Sequence, residues 1–200
     1  MDTGINDCSP LSGLRSYLTL GQRPHVTTLR EDERQWHLNR LNNAQGRQTI
    51  LLSHHHLFSA YEPIGKVSAG QVSLNSKLHW IFSPYFKPNP SGETWVRAWF
   101  WGHEHDFVTF TPGFQDLAFG ACLGHGAIPV NSRFNPRPQI PSPYPGIRQN
   151  PRPTALSATQ DYYRHGFSVI TLQGNLSAKI EHFQVDVAGN AVPLESPTKF

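Results

Sequence analysis

The chain has 200 residues, 38% of them hydrophobic and 16% charged, with a formal net charge of +3. This fits one globular domain of ordinary composition and excludes a coiled coil, a collagen-like fibre and a disordered charged chain. The 17 Lys and Arg residues are scattered, which argues against nucleic acid as the main partner, and no stretch reaches the roughly 18 consecutive apolar residues of a membrane span.

Asp2-Thr3-Gly4-Ile5-Asn6-Asp7, followed by Ser9, Pro10 and Gly13, reads as a loop, because these residues bond their own backbone or supply positive φ. The start of the chain lacks the basic and apolar regions of a signal peptide. Cys8 and Cys122 are the only cysteines and lie outside any Cys-x-x-Cys pattern. They read as reduced thiols, which favours a cytoplasmic setting. Thr28-Leu29-Arg30-Glu31 has the form of a capping box and predicts a helix from Thr28 to about Gln45, stopped by Gly46 and burying Trp36 and Leu41 against a sheet.

Residues 48–53 form a short apolar run that predicts a strand, and it stops at three histidines, His54, His55 and His56. Residues 60–72, with Gly65 and Gly70, read as a loop beside these histidines and within reach of a substrate. Residues 74–82 predict a short helix ended by Pro84. A second buried strand is expected over residues 94–101, and it too stops at histidines, in Gly102-His103-Glu104-His105. If that segment stays extended, its alternate side chains point the same way, so His103 and His105 face one ion or two neighbouring ions, with Gly102 leaving room for the imidazoles. Ligands gather at the carboxyl ends of strands in α/β proteins, so two strands that finish in histidine bring their imidazoles to one rim of a sheet.

Residues 107–111 and 117–122 predict two further strands, the first stopped by Pro112-Gly113. His125, inside Leu123-Gly124-His125-Gly126, reads as a histidine bonded to loop backbone, since no strand aims it at the others. Residues 129–153 carry Pro136, Pro138, Pro141, Pro143, Pro145, Pro151 and Pro153 and read as a Pro-rich surface loop, a connector more readily than a recognition motif. Residues 166–172 and 176–187 predict a hairpin about Gln173-Gly174-Asn175, and the tail after Ala188 is expected to fray. No Walker A loop, Gly-x-Ser-x-Gly elbow or His-Glu-x-x-His helix occurs, which sets those reaction classes aside.

The Leu51-Leu52-Ser53-His54 strand end followed by Gly102-His103-Glu104-His105, in that order and with a helix before them, resembles the late motifs of the calcineurin-like metallophosphoesterases. The resemblance implies an α/β fold, the late half of a metallophosphoesterase-like β-sandwich flanked by helices. It implies that His54, His103 and His105 are metal ligands and that His55 and His56 line the substrate side of the site; by themselves these last two read more readily as solvated or hydrogen-bonded loop histidines than as ligands, since one metal seldom uses adjacent side chains. It further implies divalent ions, Mn, Fe or Zn, in a two-metal centre that hydrolyses a phosphoester. The family's early motifs, an Asp-x-His strand end, a Gly-Asp with a bridging carboxylate and an Asn-His that supplies a proton donor, are absent, so no catalytic residue is assigned. Residues 1–200 are therefore expected to form a single domain that is the C-terminal part of a larger one, associating with a missing N-terminal half or with itself. The alternatives are a non-catalytic relative or fragment acting as a binding or scaffold module, and an unrelated all-β binding domain with incidental histidines.

Overall fold

The structure is a computed structural model that describes residues 1, 3, 26–61, 64–65, 73–88, 94–133, 156–174 and 177–200. The expectations for Cys8, for most of the 60–72 loop and for most of the Pro-rich segment fall outside these residues.

Apolar runs build the centre of the fold. Thr49–Ser53 (β1), Val96–Trp101 (β2), Phe107–Thr109 (β3) and Gly120–Leu123 (β4) make a four-stranded sheet in the order β1-β2-β4-β3. β1, β2 and β4 are parallel, and β3 runs antiparallel on β4. β2 is buried at five of its six positions, as expected of a strand covered on both faces. One face carries Leu51, Trp99, Trp101, Val108 and Cys122 into the largest core cluster, where they meet Leu57, Phe58, Leu78, Ile81 and Phe82. The opposite face sends Ala98, Phe100 and Ala121 onto Ile180 of a second sheet.

That second sheet is built on the expected hairpin, Gly166–Gln173 (β7) with Ser177–Val185 (β8), paired without interruption from Gly166 opposite Gln184 to Gln173 opposite Ser177. Before it in the chain, Ala158–Thr159 (β5) and Tyr162–Tyr163 (β6) form a separate two-stranded pair. The tail after Ala188 is not frayed: Ala191–Pro193 (β9) and Thr198–Lys199 (β10) both pair with β8. Phe200 closes it, stacking on Phe119 with ring centroids 5.1 Å apart.

The helices correct three expectations. Glu31–Asn42 (α1) begins after Arg30, which caps it with extended backbone and no side-chain bond, so the capping box on Thr28 does not form. Glu31, Asp32 and Glu33 instead place carboxylates in the first turn, where the positive end of the helix dipole favours them. Leu41 is buried but Trp36 is 54% exposed, with the Arg40 guanidinium 5.3 Å from its ring centroid. Indole surface is covered there by a cation from the next turn and not by a sheet. Ser76–Phe82 (α2) is capped by Asn75, whose side-chain oxygen accepts from Leu78 N at 3.0 Å. The chain continues past Phe82 into a 3-10 turn, Ser83–Tyr85, that takes Pro84 in its first turn instead of stopping before it.

Candidate metal centre

The parallel register sets Ser53 opposite Trp101, so β1 and β2 end level and their histidine runs leave side by side. The two exits are tied together, Gly102 N donating to His54 O at 3.0 Å. Ser53 closes β1 with two bonds, accepting from Trp99 Nε1 at 2.8 Å and donating to His55 O at 2.8 Å. The second bond bends the chain over His54 and His55 as the strand ends.

The segment after β2 does not stay extended. His103 and His105 have φ of 67° and 51°, left-handed backbone uncommon for residues other than glycine. The two histidines remain partly exposed while Glu104 and Asp106 between and after them are buried, at 2% and 5% exposure. Room is needed elsewhere than at Gly102, where a Cβ would lie an ordinary 3.7 Å from His54 O. The close approach is at Gly124, whose added Cβ would stand 2.9 Å from His105 N and 3.2 Å from His105 Cα. Beneath the loop, the buried Cys122 thiol donates to Gly102 O and Asp106 O at 3.4 and 3.6 Å. Burial, chiefly, and the Glu104 carboxylate push that thiol well above its usual range, so it remains an S–H donor.

Above this base, His54 Nε2 and His103 Nδ1 lie 3.2 Å apart. His54, His55 and His103 each present a ring nitrogen within 4.8 Å of the other two. The His55 ring centroid is 4.5 Å from that of His103 and 4.8 Å from that of His54. A tetrahedral ion bound by imidazoles at about 2.0–2.1 Å sets neighbouring nitrogens about 3.3–3.4 Å apart. The His54–His103 pair is close to that spacing, and a donor set of three imidazoles suits a borderline ion. His105 is not a member of this group, because the left-handed loop does not carry the strand's alternation forward.

His55 is held by a residue 52 positions away: its backbone N donates to Thr3 Oγ1 at 2.9 Å, and its Nδ1 lies 3.0 Å from the same oxygen. The chain start is anchored beside it, the Met1 ammonium donating to Leu52 O at 2.7 Å. His56 is buried, with its ring 5.2 Å from that of His103. Burial, then the neighbouring imidazoles of His103, His55 and His54, lower its pKa to about 3, so it is neutral. The carboxylate of Glu104 accepts a short hydrogen bond from Ser59 Oγ, and Asp106 Oδ1 accepts from Phe107 N at 2.7 Å.

His125 stands away from the group, 3% exposed in the 3-10 turn Gly124–Gly126 and 5.1 Å, ring to ring, from Phe107. The Leu123, Phe183 and Phe167 carbonyls lie near its ring, but neither ring nitrogen has a hydrogen-bonded partner among the described residues.

Ser59, Glu104 and Asp106 have no place in the sequence reading of the site, and Thr3 enters the reading only within the loop Asp2-Thr3-Gly4. The signals for Glu104 and Asp106 were present, two acids interleaved with histidines just past the apolar end of β2. Thr3 and Ser59 could be found only by folding the chain. No protein-family model matches the chain, and no curated protein does.

Proposed function

We propose that the chain carries the late metal ligands of a metal-dependent phosphoesterase-like hydrolase, the late half of a calcineurin-like metallophosphoesterase sandwich. The observation that carries the reading is the 3.2 Å approach of His54 Nε2 to His103 Nδ1 at the level ends of two parallel strands. The fold places imidazoles from two separate strand ends at the spacing an ion requires.

His54 and His103 would hold the ion, with His56 lining its buried side. His105, on the same loop and outside the group of three, is then the histidine available to a second ion of a two-metal centre. A bound ion supplies charge neutralisation at a phosphoryl group and lowers the pKa of a water towards about 7. The chain's own residues orient the ligands: Ser53 bends the strand end, and Cys122 and Gly124 fix the loop that carries His103. The phosphoester substrate, and association with a further segment or a second copy that supplies bridging carboxylates, belong to the same proposal.

The test is zinc and manganese affinity of the whole chain by calorimetry, with hydrolysis of an aryl phosphate diester measured alongside. His54→Ala and His103→Ala are each expected to weaken metal binding by tenfold or more. Binding of metal by neither the chain nor its mixtures with manganese or zinc would overturn the reading. A second reading, a non-catalytic metal-bound module, is favoured by the make-up of the group, which among the described residues is three histidines. It predicts tight metal binding without turnover.

A further inference from the structure

We propose that His55, and not His105, is the third ligand beside His54 and His103, and that the Thr3 hydroxyl is the positioning residue that makes it one. The inference rests on the metal reading above and adds to it the identity of the third ligand and the device that orients it.

Adjacent residues seldom ligate one ion, because in an extended chain their side chains point to opposite faces. Here the chain is not extended at that point. The bond from Ser53 Oγ to His55 O bends it as β1 ends. The His54 and His55 rings consequently lie edge to face at 89°, and both stand against His103, with centroids at 5.1 and 4.5 Å. The left-handed loop leaves His105 outside.

Orientation alone does not make a ligand, since a neutral imidazole coordinates only through the nitrogen that lacks the proton. In this proposal Thr3 Oγ1 selects that nitrogen by accepting from the other. It accepts the His55 backbone N–H at 2.9 Å and stands 3.0 Å from Nδ1. A hydroxyl oxygen has two lone pairs, so it can accept the backbone N–H and Nδ1–H together. With the proton on Nδ1, Nε2 is the nitrogen that carries the lone pair for the ion. Metal-bound histidines generally donate their other ring N–H to such an oxygen, which fixes the tautomer and the ring plane. Thr3 is fully buried and His55 is 4% exposed, so the pair is held in place before any ion arrives.

The experiment measures zinc affinity of the full chain by competition with a chromophoric chelator, and the His55 tautomer by long-range nitrogen–proton NMR. The variants are Thr3→Val, Thr3→Ser, His55→Ala and His105→Ala. Thr3→Val keeps the shape and removes the hydroxyl. It is expected to weaken zinc about 10- to 100-fold, the usual effect of losing such a partner, and to release His55 from the Nδ1–H form. Thr3→Ser restores both. His55→Ala loses binding as His54→Ala does, and His105→Ala retains it. Tight zinc binding by His55→Ala, or by Thr3→Val with an unchanged tautomer, would overturn this assignment while leaving the metal reading intact. A wild-type chain that binds no zinc overturns both, and loss at His54→Ala and His105→Ala with His55→Ala unaffected returns the third position to His105.

Discussion

Glu104 sits where a carboxylate is costly, 2% exposed directly beneath the histidine loop. A buried carboxylate persists only when donors replace its water, and the Ser59 hydroxyl is one of them, donating to Oε1. The same Ser59 oxygen accepts from Tyr61 N at 3.1 Å, so one hydroxyl ties the loop after β1 to the loop after β2. Hydrogen bonds to charged groups contribute about 1.5–3 kcal/mol. Ser59→Ala is therefore expected to destabilise the chain by about that amount in urea unfolding, with zinc affinity changed far less than by His103→Ala. An equal loss of zinc affinity in the two variants would mean that Glu104 acts on the ion and not on the fold. Glu104 also shows why the site was only partly legible. Two apolar runs that end in histidine announce that imidazoles meet at one rim. Which of them meet depends on a bend at His54–His55 and on left-handed backbone at His103, and neither leaves a mark in the spacing.

The loop from Gly102 to Asp106 is an element with its own requirements, and Gly124 is the clearest of them. A Cβ there would stand 2.9 Å from His105 N and 3.2 Å from His105 Cα, with Gly102 C at 3.3 Å. Backbone on that many sides cannot yield as a flexible side chain would. Gly124→Ala should push the loop off the end of β4, weakening zinc binding at His103 and costing about 1–3 kcal/mol of stability as overpacking does. Unfolding and zinc titration of the one variant read both effects, and an unchanged zinc affinity would show that His103 is positioned without this contact. At this scale the strands were legible, because β1, β2 and β4 are largely apolar runs and the β7–β8 strands flank the turn residues Gln173-Gly174-Asn175. Start signals for the helix misled. Thr28 lies three residues before α1, where Asn75 Nδ2 donates to the Thr27 carbonyl and hydroxyl at 3.2 and 3.1 Å. Tertiary bonds hold that segment extended past its own capping pattern.

The two sheets meet along a seam that carries buried histidines. Phe107 of β3 lies between His125 and His182, with ring centroids 5.1 and 4.7 Å away. His182, on β8, is 1% exposed, its Nδ1 2.7 Å from Ser168 Oγ and its Nε2 3.6 Å from the Glu195 carboxylate. Burial lowers both histidines to a pKa of about 4, and for His182 the nearby His125 adds to the effect. An unfolded histidine binds its proton near 6.5, so the unfolded chain takes up protons that the folded chain refuses. Stability is therefore full above pH 6.5 and is lost as pH falls from there towards 4, by roughly 3 kcal/mol for each histidine. Glu195 works in the opposite sense. Burial raises its pKa, so the folded state takes its proton more readily as pH falls, which offsets part of the loss. His125→Leu separates the contributions, because it removes the titrating ring, whose nitrogens have no hydrogen-bonded partner among the described residues. Its stability at pH 7.5 should stay within about 1.5 kcal/mol of the parent. Its loss between pH 6.5 and 4 should be visibly shallower. Parallel pH profiles in parent and variant would place the acid sensitivity outside this seam. A shallower profile in the variant makes His125 a lock between the sheets, closed while the histidine is neutral.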